Sequence, residues 1–330
     1  MTIPSEATSS SRDPLIDAID HLGRTPEEPA DGDGQTCHDE ERPAPRRRLN
    51  DTLYFALRNP KVIGAMAVIL LMLALAFIGP LLSPHQVADR FADAIGAPPS
   101  AEHWFGTTTQ GHDVFTHFVS GLRNTFYVGV LGAAISGLAG MLIGFIAGYR
   151  GGWLDEVLNA ITNVVLVIPA FVVLILINAY FGVRTVMMQA IFIGLFSWPW
   201  VARAVRAQTL SLRNRDYIDL ARITGQRNLT IIRREIAPNM YSYLFMTLVL
   251  LFGGAVLTAA GLDFIGLGPN TRGVTSLGLM MNQSMQGAAL VRGLWWWFVF
   301  PGAGITAIVG SMYVMNVGLD EVFNPKLREM

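Results

Sequence analysis

Long apolar runs alternate with short charged intervals along this chain, and the lengths of the runs fix the elements. Val62–Leu82 carries no charged residue. At about 1.5 Å per helical residue it covers roughly 30 Å, the thickness of bilayer hydrocarbon. It predicts a first crossing helix running outward, closed by Pro80 and Pro84. Thr125–Tyr149 predicts a second, returning to Arg150; Leu158–Phe181 a third, with Pro169 in its middle; and Thr185–Val205 a fourth, with Pro199 inside. Tyr241–Leu262 and Leu294–Val317 complete six, the last opened by Trp295, Trp296 and Trp297 at an interface position. The more polar stretches Ser83–Ser120 and Gly266–Gly293 are expected outside as loops. Pro169 and Pro199 are expected to kink their spans, and kinked spans are candidates for a moving gate or pathway. Gly140, Gly144 and Gly148 recur at every fourth residue of the second run. One face of that helix is nearly bare backbone, suited to close packing against a neighbour.

The arginines orient these spans. Arg150, Arg203, Arg206, Arg213, Arg215, Arg222, Arg227, Arg233 and Arg234 gather on one side, with Arg46, Arg47, Arg48, Arg58 and Lys61 before the first span and Lys326 and Arg328 after the last. Short loops rich in Lys and Arg stay cytoplasmic, so both termini are expected inside. Only scattered Arg90, Arg123, Arg184, Arg272 and Arg292 fall outside.

Composition agrees: 330 residues with 52% hydrophobic and 15% charged content describe a polytopic all-α membrane protein. A net charge of −1 gives no reason to expect a nucleic-acid partner. Residues 1–50 are poor in aromatics and rich in Pro, Gly, Ser and acid, and are expected to form a disordered cytoplasmic tail with no cleaved leader. The single Cys37 lies there, suited to a reduced thiol. Residues 51–83 then form an interfacial segment, with Leu53, Tyr54 and Leu57 on one side, and the first span. Residues 84–120 form the external segment, and 121–330 a five-helix core with a cytoplasmic loop over 206–240.

That loop is the most informative stretch. Asp216 to Asn239 reads as a short helix, a glycine break, a second short helix and a proline stop. Gly225 suits a left-handed residue closing the first helix, Asn228 is placed to cap the second, and Pro238 is expected to end it. Asp219, Leu220, Ala221, Arg222 and Gly225, followed by Ile236 and Pro238, resemble the E-A-A, three residues, G, then I-x-P pattern of the membrane subunits of bacterial ABC importers, with Asp219 for the Glu and Leu220 for the first Ala. The reading without that resemblance is a basic loop held near anionic lipid.

The resemblance narrows outside the membrane. His103 to Thr125, with Trp104, Gly106, Thr107, Gly111, His112 and Asp113, is similar to the H-W-x-G-T-D-x-x-G-R-D signature of the C-type permease in dipeptide, oligopeptide and nickel importers. Ala147–Leu158, Ser197–Ile218 and Phe264–Gly268 extend the match. Thr108 replaces the family Asp and His112 the family Arg, removing a possible ion pair together, and Asp263 stands where Ser is usual. The resemblance implies a type I importer permease in the bacterial inner membrane. Its implied partners are a homologous B-type permease, two ATPase subunits that bind ATP and Mg, an extracytoplasmic solute-binding protein and membrane lipid. It also implies peptide as cargo, with nickel or oligosaccharide as alternatives.

No G-x-x-x-x-G-K-S/T phosphate loop occurs, so this chain is not expected to hydrolyse ATP or to hold a cofactor. An intramembrane hydrolase would need paired catalytic groups within the spans, and no Ser-His, Asp-Asp or HExxH arrangement is found there. A carrier or channel acting alone leaves the helix-glycine-helix loop unexplained. His112, Asp113 and His117, with His103 nearby, offer ligand chemistry for a cation, but their spacing is no zinc motif, and a metal-free role is expected. Asp263, near the outer end of the fifth span, is a candidate for a gate or substrate path; the alternative is a hydrated carboxylate at the interface.

Overall fold

The computed structural model describes residue 55 and residues 58–91, 94–182, 185–269 and 273–323. The expectations for the tail, Cys37, most of the interfacial segment, Arg184, Arg272, Lys326 and Arg328 lie outside these residues.

Among the described residues, five helices are long and apolar enough to cross a membrane, or six when a bent pair is counted as one span. Helix α1 (Pro60–Leu82) starts where the Asn59 side chain accepts from the Lys61 N–H, with a proline in its first turn where no N–H is missed. Helix α2 (Val114–Arg150) begins well before the expected Thr125, so the 120/121 boundary falls inside it. Asp113 explains the early start: its side chain accepts from the Thr116 N–H and caps the helix. Gly151 and Gly152, at φ 65° and 61°, reverse the chain into α3 (Gly152–Val167).

The third span is broken, not kinked. Helices α3 and α4 (Ala170–Phe181) meet at 74° around Pro169, which stands as the N-cap of α4. Ile168 before it is extended, the conformation a following proline imposes. Helix α5 (Val186–Arg213), by contrast, continues unbroken past the buried Pro199. Helices α6 (Asp216–Ile223) and α7 (Asn228–Ile231) form the elbow; α8 (Tyr241–Phe264), α9 (Leu277–Gln286) and α10 (Trp295–Phe323) complete the chain. Helix α9 lies within the stretch expected as an external loop. Among the described residues there is no strand, only a bridge between Thr107 and Asp113.

The most extensive contact is between α2 and α5. A Cβ on Gly140 would lie 2.5 Å from the Val201 Cβ, one on Gly144 2.8 Å from the Ala202 carbonyl oxygen, and one on Gly148 2.7 Å from the Thr209 Cβ. These glycines let α5 approach backbone to backbone, and Gly194 of α5 answers against Ile135 and the Gly132 carbonyl of α2. Around this pair, α8 packs on α2 and α10, and α1 on α10 and α2. The outward sides of α1, α3 and α4 carry exposed Leu70, Leu71, Phe77, Val164, Val172 and Leu176, as helices facing hydrocarbon or another apolar helix should.

Candidate functional site

The elbow is a folded knob with its own buried residues. Ile218 and Ala221 from α6 and Ile231 and Ile236 from the second arm are buried and join the cluster that holds Tyr149 of α2 and Val201 and Val205 of α5. Helix α6 ends as a Schellman motif: Gly225 N–H donates to the Arg222 carbonyl at 3.0 Å and Gln226 N–H to the Ala221 carbonyl at 3.2 Å, with Gly225 at φ 76°. Nothing lies within 4 Å of a Cβ placed there, so the glycine is required by backbone conformation and not by crowding.

Two expectations for the second arm are corrected. Arg227, not Asn228, stands at the N-cap; Asn228 is already helical, and its side chain reaches the Tyr149 hydroxyl at 3.5 Å. Nor does Pro238 stop the helix. The chain widens into a π turn over Ile232–Ile236, tightens into a 3-10 turn over Ala237–Met240 and continues into α8. A proline ring collides with the carbonyl four residues back in a regular α-helix; here that residue, Arg234, sits in the wide turn, so the path survives.

Contacts at the cytoplasmic ends join the knob to the bundle. The Arg222 guanidinium lies 5.5 Å from the Tyr149 ring centroid and donates to Asp219 at 2.8 Å. Arg206 of α5 makes a two-pronged bond to Asp155 of α3, at 2.5 and 2.7 Å, the geometry in which Arg holds a carboxylate best. Of these, the Arg222–Tyr149 contact joins the knob to α2, and the Arg206–Asp155 bond ties α5 to α3 beside it. The knob's free surface carries large apolar side chains: Leu220, Ile223 and Leu229 are 63%, 83% and 76% exposed.

Outside, the signature residues build scaffold. Gly106 and Gly111 take φ 73° and 76°. A Cβ on Gly106 would meet the Ala97 carbonyl at 2.7 Å, and one on Gly111 the Phe91 carbonyl at 2.5 Å. The Thr107 carbonyl accepts from the Trp296 indole at 3.1 Å, tying the segment to α10. Thr108 and His112 meet through the backbone: the Thr108 hydroxyl accepts from the His112 N–H at 3.1 Å, closing the turn. Trp104 lies against Phe115 and is 50% exposed.

The trio His112, Asp113 and His117 does not converge. The His112 ring is bonded to the Asp89 carbonyl at 2.8 Å and the His117 ring to the Val87 carbonyl at 2.9 Å.

Asp263 is neither hydrated at the interface nor turned toward a cavity. It is buried, accepts from Gln189 of α5 at 2.6 Å and from the Ser276 hydroxyl, and has Gly268 and Gly278 against it. Ser276 also caps α9, accepting from the Leu279 N–H. Sequence reasoning missed Gln189 and Ser276, since nothing in the local pattern marks a polar residue 74 positions away as a partner.

Of the two span prolines, Pro199 lines a cavity and Pro169 does not, although its neighbour Ala170 does. A cavity of about 410 Å³ opens between α3, α4, α5, α8 and α10, with Pro199 on its wall beside Ser197, Thr258 and Tyr313. The rest of its wall is apolar, from Leu166, Phe196, Trp200, Leu250 and Leu251 among others.

Known proteins carry the same pattern. Residues 140–329 match the family described as the inner membrane component of binding-protein-dependent transport systems. The chain is 33% identical over 273 residues to the dipeptide transport system permease protein DppC of Bacillus subtilis, covering 82% of this chain and 83% of that protein. It is 30% identical over 275 residues to the oligopeptide transport system permease protein OppC of Mycobacterium tuberculosis (83% and 93%). To the glutathione transport system permease protein GsiD of Pectobacterium atrosepticum it is 29% identical over 273 residues (82% and 89%). With five or six apolar helices around a glycine-packed pair, this chain is a multi-pass protein of the bacterial inner membrane and belongs to the family of binding-protein-dependent transport system inner membrane components.

Proposed function

We propose that this chain forms half of the translocation pathway of an ATP-driven importer of peptides. A homologous permease supplies the other half, an extracytoplasmic binding protein delivers cargo, and two ATPase subunits, which bind ATP and Mg, drive the cycle. The supporting observation is the knob: a folded unit whose interior joins the cluster holding Tyr149, Val201 and Val205, and which leaves Leu220, Ile223 and Leu229 exposed. Three apolar side chains held in water on one small element suit a groove in a partner protein. Peptide as cargo is supported by the names of the relatives, which are dipeptide, oligopeptide and glutathione permeases.

The motion follows from the connections. Closure of the ATPases moves the knob, and because its interior is continuous with Tyr149, Val201 and Val205, the α2–α5 pair moves as one body. A nucleotide that prefers one ATPase arrangement thereby biases a two-state helix bundle between inward and outward openings.

Gly225→Val tests this. A β-branched residue at φ 76° is strained by about 1–2 kcal/mol or more, so the end of α6 should rearrange while the spans remain. In vesicles reconstituted with the whole transporter, peptide uptake per ATP hydrolysed is expected to fall several-fold with insertion unchanged. Uptake and coupling equal to wild type would remove the knob from the mechanism. Uptake of nickel or an oligosaccharide, and not of peptide, would keep the machinery and replace the cargo.

A further inference from the structure

We infer that the external segment carries a transition-metal site, best suited to zinc, formed by His85, His103 and Asp113. One ligand atom from each lies within 4.8 Å of the others, the one such group of three among the described residues. Two imidazoles and a carboxylate make a borderline-soft nitrogen and oxygen set, as in three-ligand zinc sites completed by water.

Three observations separate this from a chance cluster. First, His85 Nε2 is buried with no hydrogen-bond partner, a costly arrangement for a group able to bind water, a proton or a metal. Second, Asp113 is held from behind. Its Oδ1 accepts from the N–H and hydroxyl of Thr116, both at 2.8 Å, while Oδ2 lies 2.9 Å from His103 Nδ1. The Thr116 hydroxyl in turn meets that of Ser83 at 2.7 Å, two residues before His85. Outer bonds of this kind fix the direction of a ligating carboxylate. Third, a cavity of about 10 Å³ lies against His85 and Asp113, walled also by Ser83, Pro84, Glu102, Trp104 and Phe115; His103 is not on its wall but reaches Asp113. That volume is about the smallest space that admits a single water-sized centre, and Glu102 stands at its edge as a further oxygen donor.

The packing also orients the rings. Phe91 lies 4.6 Å from the His85 ring and 5.1 Å from the His103 ring, and the two histidines are 5.3 Å apart. Ligand atoms on a tetrahedral zinc sit about 3.3 Å from one another, given bonds of about 2.0–2.1 Å. The His103–Asp113 pair, at 2.9 Å, is already close to this spacing, and bringing His85 in from at most 4.8 Å asks for a shift of up to about 1.5 Å. Such a metal would fasten the outer end of α1 to the cap of α2.

Zinc sulfate titrated into the full chain, purified without a polyhistidine tag in lipid nanodiscs, tests the site. Wild type is expected to take up one equivalent with micromolar or tighter affinity that His85→Ala weakens at least tenfold, since loss of even an outer-shell partner brings about 10–100-fold. His85 caps no helix, and His21, His38 and Cys37 in the tail are the same in both proteins. Cobalt in place of zinc is expected to give the visible absorption of a four-coordinate ion in wild type alone. X-ray absorption of the zinc-loaded wild type, which depends on no variant, is expected to show imidazole scattering. Absence of a saturable equivalent, equal binding by His85→Ala, or a zinc shell without imidazole would each overturn the site.

Discussion

Gly144→Val is expected to prevent assembly of the folded bundle, whereas Gly64→Ala leaves it intact. A Cβ on Gly144 would lie 2.8 Å from the Ala202 carbonyl oxygen and 2.8 Å from the Val205 Cβ. The first is backbone of a facing helix and cannot turn aside, so α5 must move away as a whole. Overpacking by one methyl costs about 1–3 kcal/mol, and valine adds two more carbons. Because α2 and α5 make the largest contact in the chain, their separation also loosens the seats of α8 and the knob. A Cβ on Gly64 meets nothing within 4 Å, and alanine inside a helix is favoured by about 0.5–1 kcal/mol. Size-exclusion yield in mild detergent, with thermal midpoints for what survives, checks the pair. Gly144→Ala is expected to lie between them.

Asp263→Ala is expected to give the second large loss, and it separates a structural carboxylate from a pathway one. Removing the acceptor strands the Gln189 amide and the Ser276 hydroxyl in a buried site. Hydrogen bonds to a charged acceptor are each worth about 1.5–3 kcal/mol, so a loss of about 3 kcal/mol or more is expected. Asp263→Asn keeps an acceptor for Gln189, and the Ser276 hydroxyl can turn to accept from the new amide, so about 1 kcal/mol is expected. Thermal midpoints should fall in the order wild type, Asn, Ala, with uptake tracking the amount of folded protein. If Asn instead abolishes uptake at an unchanged midpoint, Asp263 acts on cargo and not on packing.

Some of this was legible in the sequence and some was not, for physical reasons. Crossing runs are legible because hydrocarbon tolerates almost no charge, so Val62–Leu82 marks itself. Gly225 is legible because only glycine takes its backbone conformation without strain, and Gly140, Gly144 and Gly148 because a period of four is one helix face. Their neighbour α5 is not legible, since nothing in a bare face says what it packs against. The early start of α2 is hidden because His117 and Arg123 make its first turns look like loop, while the cap that fixes it is the single side chain of Asp113. A proline signals that a span bends but not by how much, and Pro169 and Pro199 came out as a 74° break and an unbroken helix. The partners of Asp263 and the meeting of His85 with His103 and Asp113 depend on tertiary folding of loops, which leaves no periodic trace.

Cysteine cross-linking decides whether an ATPase in the cytosol grips the knob. Leu220→Cys and Ile223→Cys, in a chain with Cys37→Ser and in the complete transporter, place a thiol on exposed positions of α6. Each is expected to cross-link to an ATPase subunit, with a yield that changes when ATP is added, and to escape labelling by an impermeant maleimide applied to intact cells. Labelling from outside, or an assembled transporter in which neither cysteine reaches an ATPase in any nucleotide state, would contradict that grip.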